Sequence, residues 1–268
     1  MILWTVGIVL ALYIIICVFF YFFQEKLIFY PTQLEKAYQF GFREQFREVN
    51  IPTTDGTNLH GLLFKAPASK GLVFYLHGNA GAVSSWGQMA YVYTSLQYDV
   101  FILDYRGFGK SEGSIVSEAQ FYEDVQTAYD QVKKNYSEQH IIIIGFSIGS
   151  ASAARLAARN NPGMLILQAP YYSLTNLMQH ISPAAYAILP PFVFKYKFIT
   201  YQFVEETKAP IVIFHGDKDE VIYYGSSLKL KEHLKPIDEL VTLTGQRHNG
   251  INENAEYIRR LRSLLAGD

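Results

Sequence analysis

Past residue 70, short apolar runs, interrupted only by Thr242 in the last, recur at residues 72–76, 100–103, 141–144, 164–167, 211–214 and 240–243, each bounded by turn-forming residues. A run without alternation suits a strand covered on both faces, as in a parallel sheet. Ahead of them, residues 47–52 and 58–64 alternate in polarity around Thr54-Asp55-Gly56, the pattern of an antiparallel hairpin. Helical spacing fills the intervals. In residues 118–136, Phe121, Val125, Ala128, Tyr129 and Val132 recur near the helical repeat. Residues 148–158 are rich in alanine, and residues 256–265 close the chain with an amphipathic pattern. Strand alternating with helix after a hairpin predicts an α/β fold: a mostly parallel sheet with helices on both faces.

One interval departs from that rhythm. Between Tyr171 and Glu206 the expected helix gives way to a longer segment carrying Tyr186, Ile188, Leu189, Phe192, Phe194 and Tyr196. Packing over the sheet accounts for part of it. The functional expectation is a small cap insert, about residues 171–206, whose apolar face roofs an active site.

The first residues are different in kind. Nothing charged falls in residues 2–23, and about 20 apolar residues cross the hydrocarbon core of a bilayer as a helix. Trp4 and Tyr21 lie near the two ends, where amphipathic rings favour the membrane interface. A cleaved leader would want a basic n-region and an A-x-A-like site, and neither precedes Gln24. The expected organisation is therefore a transmembrane anchor at residues 1–23, a juxtamembrane segment at 24–46 and one catalytic domain at 47–268. Lys26, Lys36, Arg43 and Arg47 follow the helix, which weakly favours a cytoplasmic domain. Long domains translocate despite such charges, so the membrane side stays open.

Composition narrows the function classes. Hydrophobic residues make up 50% of the 268 and aromatic ones 15%, enough for a large core. The net charge of −1 gives no reason to expect nucleic acid as a partner. Cys17 is the one cysteine, so no internal disulfide forms, and its place in the apolar run makes it a poor catalytic candidate.

Chemistry concentrates around Gly145-Phe146-Ser147-Ile148-Gly149. As a bare G-x-S-x-G pentapeptide this is a weak signal, and a serine merely capping a helix is the bland alternative. It follows one apolar run and opens the alanine-rich helix, however, the strand–turn–helix context in which a sharp turn lifts a serine hydroxyl above a sheet. Serine is a poor nucleophile until a base oriented by an acid activates it. In that context acid and base follow in chain order on loops after later strands. His215-Gly216-Asp217-Lys218-Asp219-Glu220 follows one such strand, and Gly245-Gln246-Arg247-His248-Asn249-Gly250 follows the next. Asp219 is favoured as the acid over Asp217, because an aspartate in the tight turn beside Gly216 often binds only local backbone. His248 is the base, while His60, His140 and His233 read as hairpin, loop or surface positions. The backbone N–H of Ile148 supplies one oxyanion donor. A second is expected from the loop His77-Gly78-Asn79-Ala80-Gly81, at Asn79, with His77 tethering that loop.

These segments, together with Asp104-Tyr105-Arg106-Gly107-Phe108-Gly109, resemble the α/β-hydrolase superfamily over nearly everything after residue 45. The N-terminal run and residues 27–31 are similar to its membrane-bound α/β-hydrolase-domain group, which includes lysophospholipid lipases and acyl-protein depalmitoylases. The resemblance implies Ser147 as nucleophile, Asp219 as acid, His248 as base and Asn79 as an oxyanion contributor, with Asp104 and Arg106 structural. Gln246-Arg247 depart from the small residues common before this histidine, which bears on pocket shape.

The expected activity is hydrolysis of carboxylic esters or thioesters through an acyl-enzyme on Ser147, without metal or cofactor. The expected substrate is a small acyl ester, a lipid or an acylated protein, met at a membrane that residues 2–23 enter. A serine peptidase and a tethered protein with a dead site are the alternatives. Epoxide hydrolase and dehalogenase chemistry would want an aspartate where Ser147 stands.

Overall fold

The computed structural model describes residues 2–266. The chain starts with one long helix, α1 (Ile2–Ile28), apolar and long enough to cross a membrane, and exposed over its apolar length. It runs past the expected boundary at residue 23, and its last turns are built into the fold. Gln24 is 3% exposed, and Phe29 packs in the core against Phe121, Tyr196 and Phe198. Next comes β1 (Tyr30–Pro31), then the expected hairpin, β2 (Phe46–Pro52) and β3 (Asn58–Phe64). Thr53, Asp55 and Thr57 hold its turn, with Thr53 Oγ1 donating to the carboxylate of Asp55 at 2.6 Å.

Beyond the hairpin lie β4 (Gly71–Leu76), the short β5 (Ala80–Gly81), α2 (Val83–Trp86), α3 (Ala90–Thr94) and β6 (Tyr98–Asp104). Then follow α4 (Glu118–Lys133), β7 (Ile141–Phe146), α5 (Gly149–Arg159) and β8 (Met164–Gln168). Ser117 caps α4, its side chain accepting from the amide of Gln120 at 3.1 Å as an N-cap should. The chain finishes with α6 (Leu174–Ile181), α7 (Pro183–Ile188), α8 (Thr200–Glu206), β9 (Ile211–Gly216), α9 (Gly225–Lys231), β10 (Glu239–Leu243) and α10 (Ala255–Ala266).

Eight strands form one sheet in the order β10-β9-β8-β7-β4-β6-β3-β2. The two pairings of β3 are antiparallel and the rest are parallel. Alternate side chains of each buried strand feed two cores. Phe74, Ile143, Leu165 and Ile213 point to the face covered by α4 and α5, while Tyr75, Ile144, Ile166 and Phe214 meet α3 and α10. That double coverage is why the strands read as unbroken apolar runs.

The interval from 171 to 206 differs from expectation in one respect. The crossover helix between β8 and β9 is present as α8, packed against α5. It is only two turns long and aromatic, so its periodicity was hidden in the surrounding run. The cap proper is α6 and α7, with a short turn of helix at Pro191–Val193.

Candidate active site

The β7–α5 junction is a tight turn with Ser147 at its apex. Ser147 holds a left-handed φ of 52°, strained for a residue with a Cβ. Its amide donates to the carbonyl of Gln168 at 3.0 Å. Flanking glycines make the turn possible. A Cβ on Gly145 would lie 2.5 Å from the Ala153 Cβ, and one on Gly149 would lie 2.3 Å from the Leu76 carbonyl oxygen.

Two loops at the carboxyl ends of β9 and β10 complete the arrangement. His248 Nε2 stands 3.2 Å from Ser147 Oγ, and its Nδ1 stands 2.7 Å from Asp219 Oδ2. The Asp219 side chain is fully buried. Burial alone raises its pKa, but hydrogen bonds from His215 and His248, electrostatic attraction to the His248 ring and the Val221 amide outweigh that and hold it well below the usual carboxylate range. An ionised carboxylate only accepts, so Nδ1 carries the imidazole proton and Nε2 offers its lone pair to the serine hydroxyl. Asp219 Oδ1 also accepts from the amides of Val221 and Ile222, both at 2.8 Å. Asp217 plays a different part: its Oδ1 accepts from the Gly245 amide at 2.7 Å, tying the β9 loop to the β10 loop.

The residues expected as oxyanion donors, Ile148 and Asn79, line one cavity with Ser147. Neither backbone N–H is engaged with another group among the described residues. Asn79 is fixed through its other atoms. Its carbonyl accepts from the Tyr30 amide at 2.8 Å and its side-chain amide donates to the Ile28 carbonyl at 2.9 Å. The end of α1 thus clamps this loop. His77 is buried beside it, its Nδ1 donating to the Gly78 carbonyl at 2.7 Å and its ring against Tyr105 and Trp86. Asp104 and Arg106 are framework: Asp104 accepts from the Val83 amide at 2.7 Å, and Arg106 forks onto Asp124 at 2.6 and 2.8 Å. Gln246 and Arg247 stay out of the cavity. Gln246 donates to the carbonyls of Arg247 and Asn249 and so shapes the His248 loop, while Arg247 reaches Glu220 at 2.9 Å near the surface.

Three features were not foreseen from the sequence. His215 touches Asp219 as well. Its Nε2 lies 2.9 Å from the Ile222 carbonyl, which only accepts, so Nε2 is the protonated nitrogen and also faces Asp219 Oδ2 at 3.1 Å. Its Nδ1 then accepts from Ser227 Oγ at 2.6 Å. Its position at the buried carboxyl end of β9 was the available signal. Second, a buried polar ring joins the Ser147 turn to the segment after His248. Tyr75 donates to Gln168 Oε1 at 2.9 Å, Gln168 Nε2 to Asn252 Oδ1 at 2.9 Å, and Asn252 Nδ2 back to the Tyr75 oxygen at 3.3 Å. Tyr93 donates to Asn252 Oδ1 at 2.8 Å and accepts from Tyr257 at 2.8 Å. Burial pushes the pKa of all three phenols up, keeping them neutral donors.

Third, α1 is part of the cavity wall. The cavity, about 360 Å³, takes Phe20, Gln24, Leu27 and Ile28 from α1 and Leu174, Leu177, Met178 and Ile181 from α6. Tyr171, Tyr196, Val221 and Ile222 add to the lining, which holds no charged side chain. Its size falls within the usual range of about 300–1,000 Å³ for small-molecule sites.

Comparison with known proteins identifies the family. The family model for serine aminopeptidase S33 matches residues 67–202, a span that includes Ser147 but not Asp219 or His248. Mouse alpha/beta hydrolase domain-containing protein 17C is 30% identical over 227 residues, covering 82% of this chain and 68% of that protein. Protein bem46 of Schizosaccharomyces pombe is 30% identical over 227 residues, covering 80% of this chain and 75% of its own. An esterase from Pyrococcus furiosus has the same fold, with a TM-score of 0.69 at 20% identity over 89% of this chain and 97% of that one. The chain is a hydrolase and belongs to the α/β-hydrolase superfamily, in the group of the α/β-hydrolase domain-containing proteins.

Proposed function

We propose that the chain is a membrane-anchored serine hydrolase that cleaves carboxylic esters or thioesters of long acyl chains. The observation that carries this reading is an uncharged, apolar cavity that contains Ser147, with His248 and Asp219 in line behind it. His248 Nε2 takes the proton of Ser147 as Oγ bonds to the acyl carbon. The carbonyl oxygen, now negative, lies against the amides of Ile148 and Asn79. Collapse of this intermediate breaks the bond to the leaving oxygen or sulfur, which takes the proton from His248. Water then repeats the sequence on the acyl-serine, releasing the fatty acid and restoring Ser147.

Peptide hydrolysis by an aminopeptidase is disfavoured here, because such a substrate brings an ammonium group and no carboxylate lines the cavity to receive it. The apolar helix α1 is the anchor, long enough by itself to span. The test is labelling with a fluorophosphonate probe alongside turnover of p-nitrophenyl esters and lysophospholipids. Wild type should label and turn over, and Ser147→Ala should do neither, losing roughly 10³-fold or more in kcat. Normal ester turnover by Ser147→Ala would overturn the mechanism.

A further inference from the structure

We propose that residues 181–194 of the cap lie inside the apolar layer of a lipid bilayer beside α1, so that the cavity at Ser147 opens sideways into lipid and receives its acyl chain without passing through water. This rests on the membrane-anchored ester hydrolase proposed above and adds where its substrate enters.

Four observations meet here. No charged residue stands between His180 and Lys195. In that stretch Ile181, Ile188 and Phe192 are 65%, 62% and 76% exposed, an arrangement costly in water and favourable in hydrocarbon. The stretch does not float free of α1. Gln24 donates to the Val193 carbonyl at 3.0 Å, Phe20 meets Phe194 edge-on with ring centres 5.7 Å apart, and the Tyr13 hydroxyl donates to the Ile188 carbonyl at 2.8 Å. Gln24 and Tyr13 are 11 positions apart on one helix, which at 1.5 Å per residue is about 16 Å along its axis. That is roughly half the 30 Å hydrocarbon core.

Charge marks the boundary of the layer at one level on both segments. The apolar part of α1 stops at Glu25 and Lys26, the cap stretch stops at Lys195, and Glu25 is ion-paired with Lys195. The Tyr13–Ile188 bond satisfies a hydroxyl that would otherwise be unpaired in hydrocarbon, where such a group is expensive. The cavity straddles this boundary. Ser147 and Asn79 lie at its domain end, while Phe20 of α1 and Ile181 of α6 lie on the uncharged side. An acyl carbonyl seated at Ser147 therefore leaves its chain running between α1 and α6 into the lipid. The substrate class is an ester or thioester whose single acyl chain already resides in a membrane leaflet.

The experiment uses the full chain in phosphatidylcholine vesicles. In a Cys17→Ser background, Ile188→Cys and, as a water-facing reference, Glu232→Cys are each labelled with the fluorophore NBD. Emission from position 188 should be blue-shifted and quenched at least threefold by lipids carrying a nitroxide on the acyl chain, with position 232 unaffected. Emission at 188 like that at 232, with equal quenching by aqueous iodide, would overturn the proposal. A second arm tests entry. Ile188→Asp and Phe192→Asp, outside the cavity lining, should lower turnover of vesicle-embedded long-chain lysophosphatidylcholine at least tenfold. Both should leave kcat/KM for soluble p-nitrophenyl butyrate within twofold, which also reports an intact fold. Unchanged lipid turnover in these variants would overturn sideways entry. Absence of any ester turnover by wild type, with position 188 immersed, would instead sink the proposed ester-hydrolase function and leave the immersion standing.

Discussion

Adding one methyl group at Gly149 should damage catalysis more than stability. A Cβ there would sit 2.3 Å from the Leu76 carbonyl oxygen, 2.8 Å from the Leu76 carbon and 2.9 Å from the His77 carbonyl oxygen. All three are backbone atoms, so no side chain can swing aside. Relief requires α5 and the end of β4 to separate by about 1 Å, and overpacking of this kind costs about 1–3 kcal/mol. The same two backbones carry the amides of Ile148 and Asn79. Pulling them apart takes one donor out of reach of the oxyanion, a loss worth about 3 kcal/mol, or roughly 10²-fold, in the barrier. Gly149→Ala should therefore retain its fold in a urea melt while kcat on p-nitrophenyl butyrate drops about 100-fold. Gly56→Ala is the control. Gly56 has a φ of +84° and open space around its Cβ position, so it should cost about 1–2 kcal/mol of backbone strain and leave kcat alone. Full activity in Gly149→Ala with unchanged stability would refute the packing and the donor assignment together.

Asp219→Asn should cost at least about 10³-fold in kcat, since a neutral amide no longer fixes the Nδ1–H tautomer of His248. Asp217→Asn, whose oxygen can still accept from Gly245, should cost less than tenfold; the reverse ranking would move the acid to Asp217. Folding depresses the Asp219 pKa, so the stability it adds is complete above its unfolded value near 3.9 and is lost as pH falls through the folded value. In urea melts the gap between wild type and Asp219→Asn should accordingly be constant near neutrality and narrow below about pH 4, and a gap that widens in acid contradicts this. Phe29→Ala removes a buried ring from between Phe121, Tyr196 and Phe198 and should destabilise the domain by about 3–5 kcal/mol, although Phe29 lies one residue beyond α1. A change under 1 kcal/mol would mean that α1 is only a tether.

The sheet was legible because its strands are covered on both faces, which leaves unbroken runs such as residues 141–144 between clear turn residues. Ser147, Asp219 and His248 were legible for a related reason. Each sits on a loop just past the carboxyl end of a strand, and chain order together with Gly145 and Gly149 restricts the choice. The boundary of the first helix was not. Hydropathy stops at Phe23, yet the helix continues to Ile28 because Gln24 and Glu25 find partners in Val193, Lys195 and Tyr196, far away in the chain. Helix α8 was missed because its two turns sit in an aromatic stretch where helical and irregular packing look alike. His215 and Gln168 were missed since their roles depend on cross-strand neighbours, which no local pattern encodes.

The ring formed by Tyr75, Gln168 and Asn252 gives the Ser147 turn and the His248 loop a common fate. Gln168 holds the Ser147 amide with its backbone oxygen, and its side chain binds the segment that follows His248. Opening either loop breaks bonds in the same buried cycle and strands polar groups away from water, at roughly 1–3 kcal/mol each. The two loops should thus loosen in a single cooperative event rather than flicker independently. In hydrogen exchange, the hydrogen-bonded amides of Ser147 and Asn254 should report one shared opening free energy. Double substitutions in Gln168 and Asn252 should cost distinctly less than the two single losses added together.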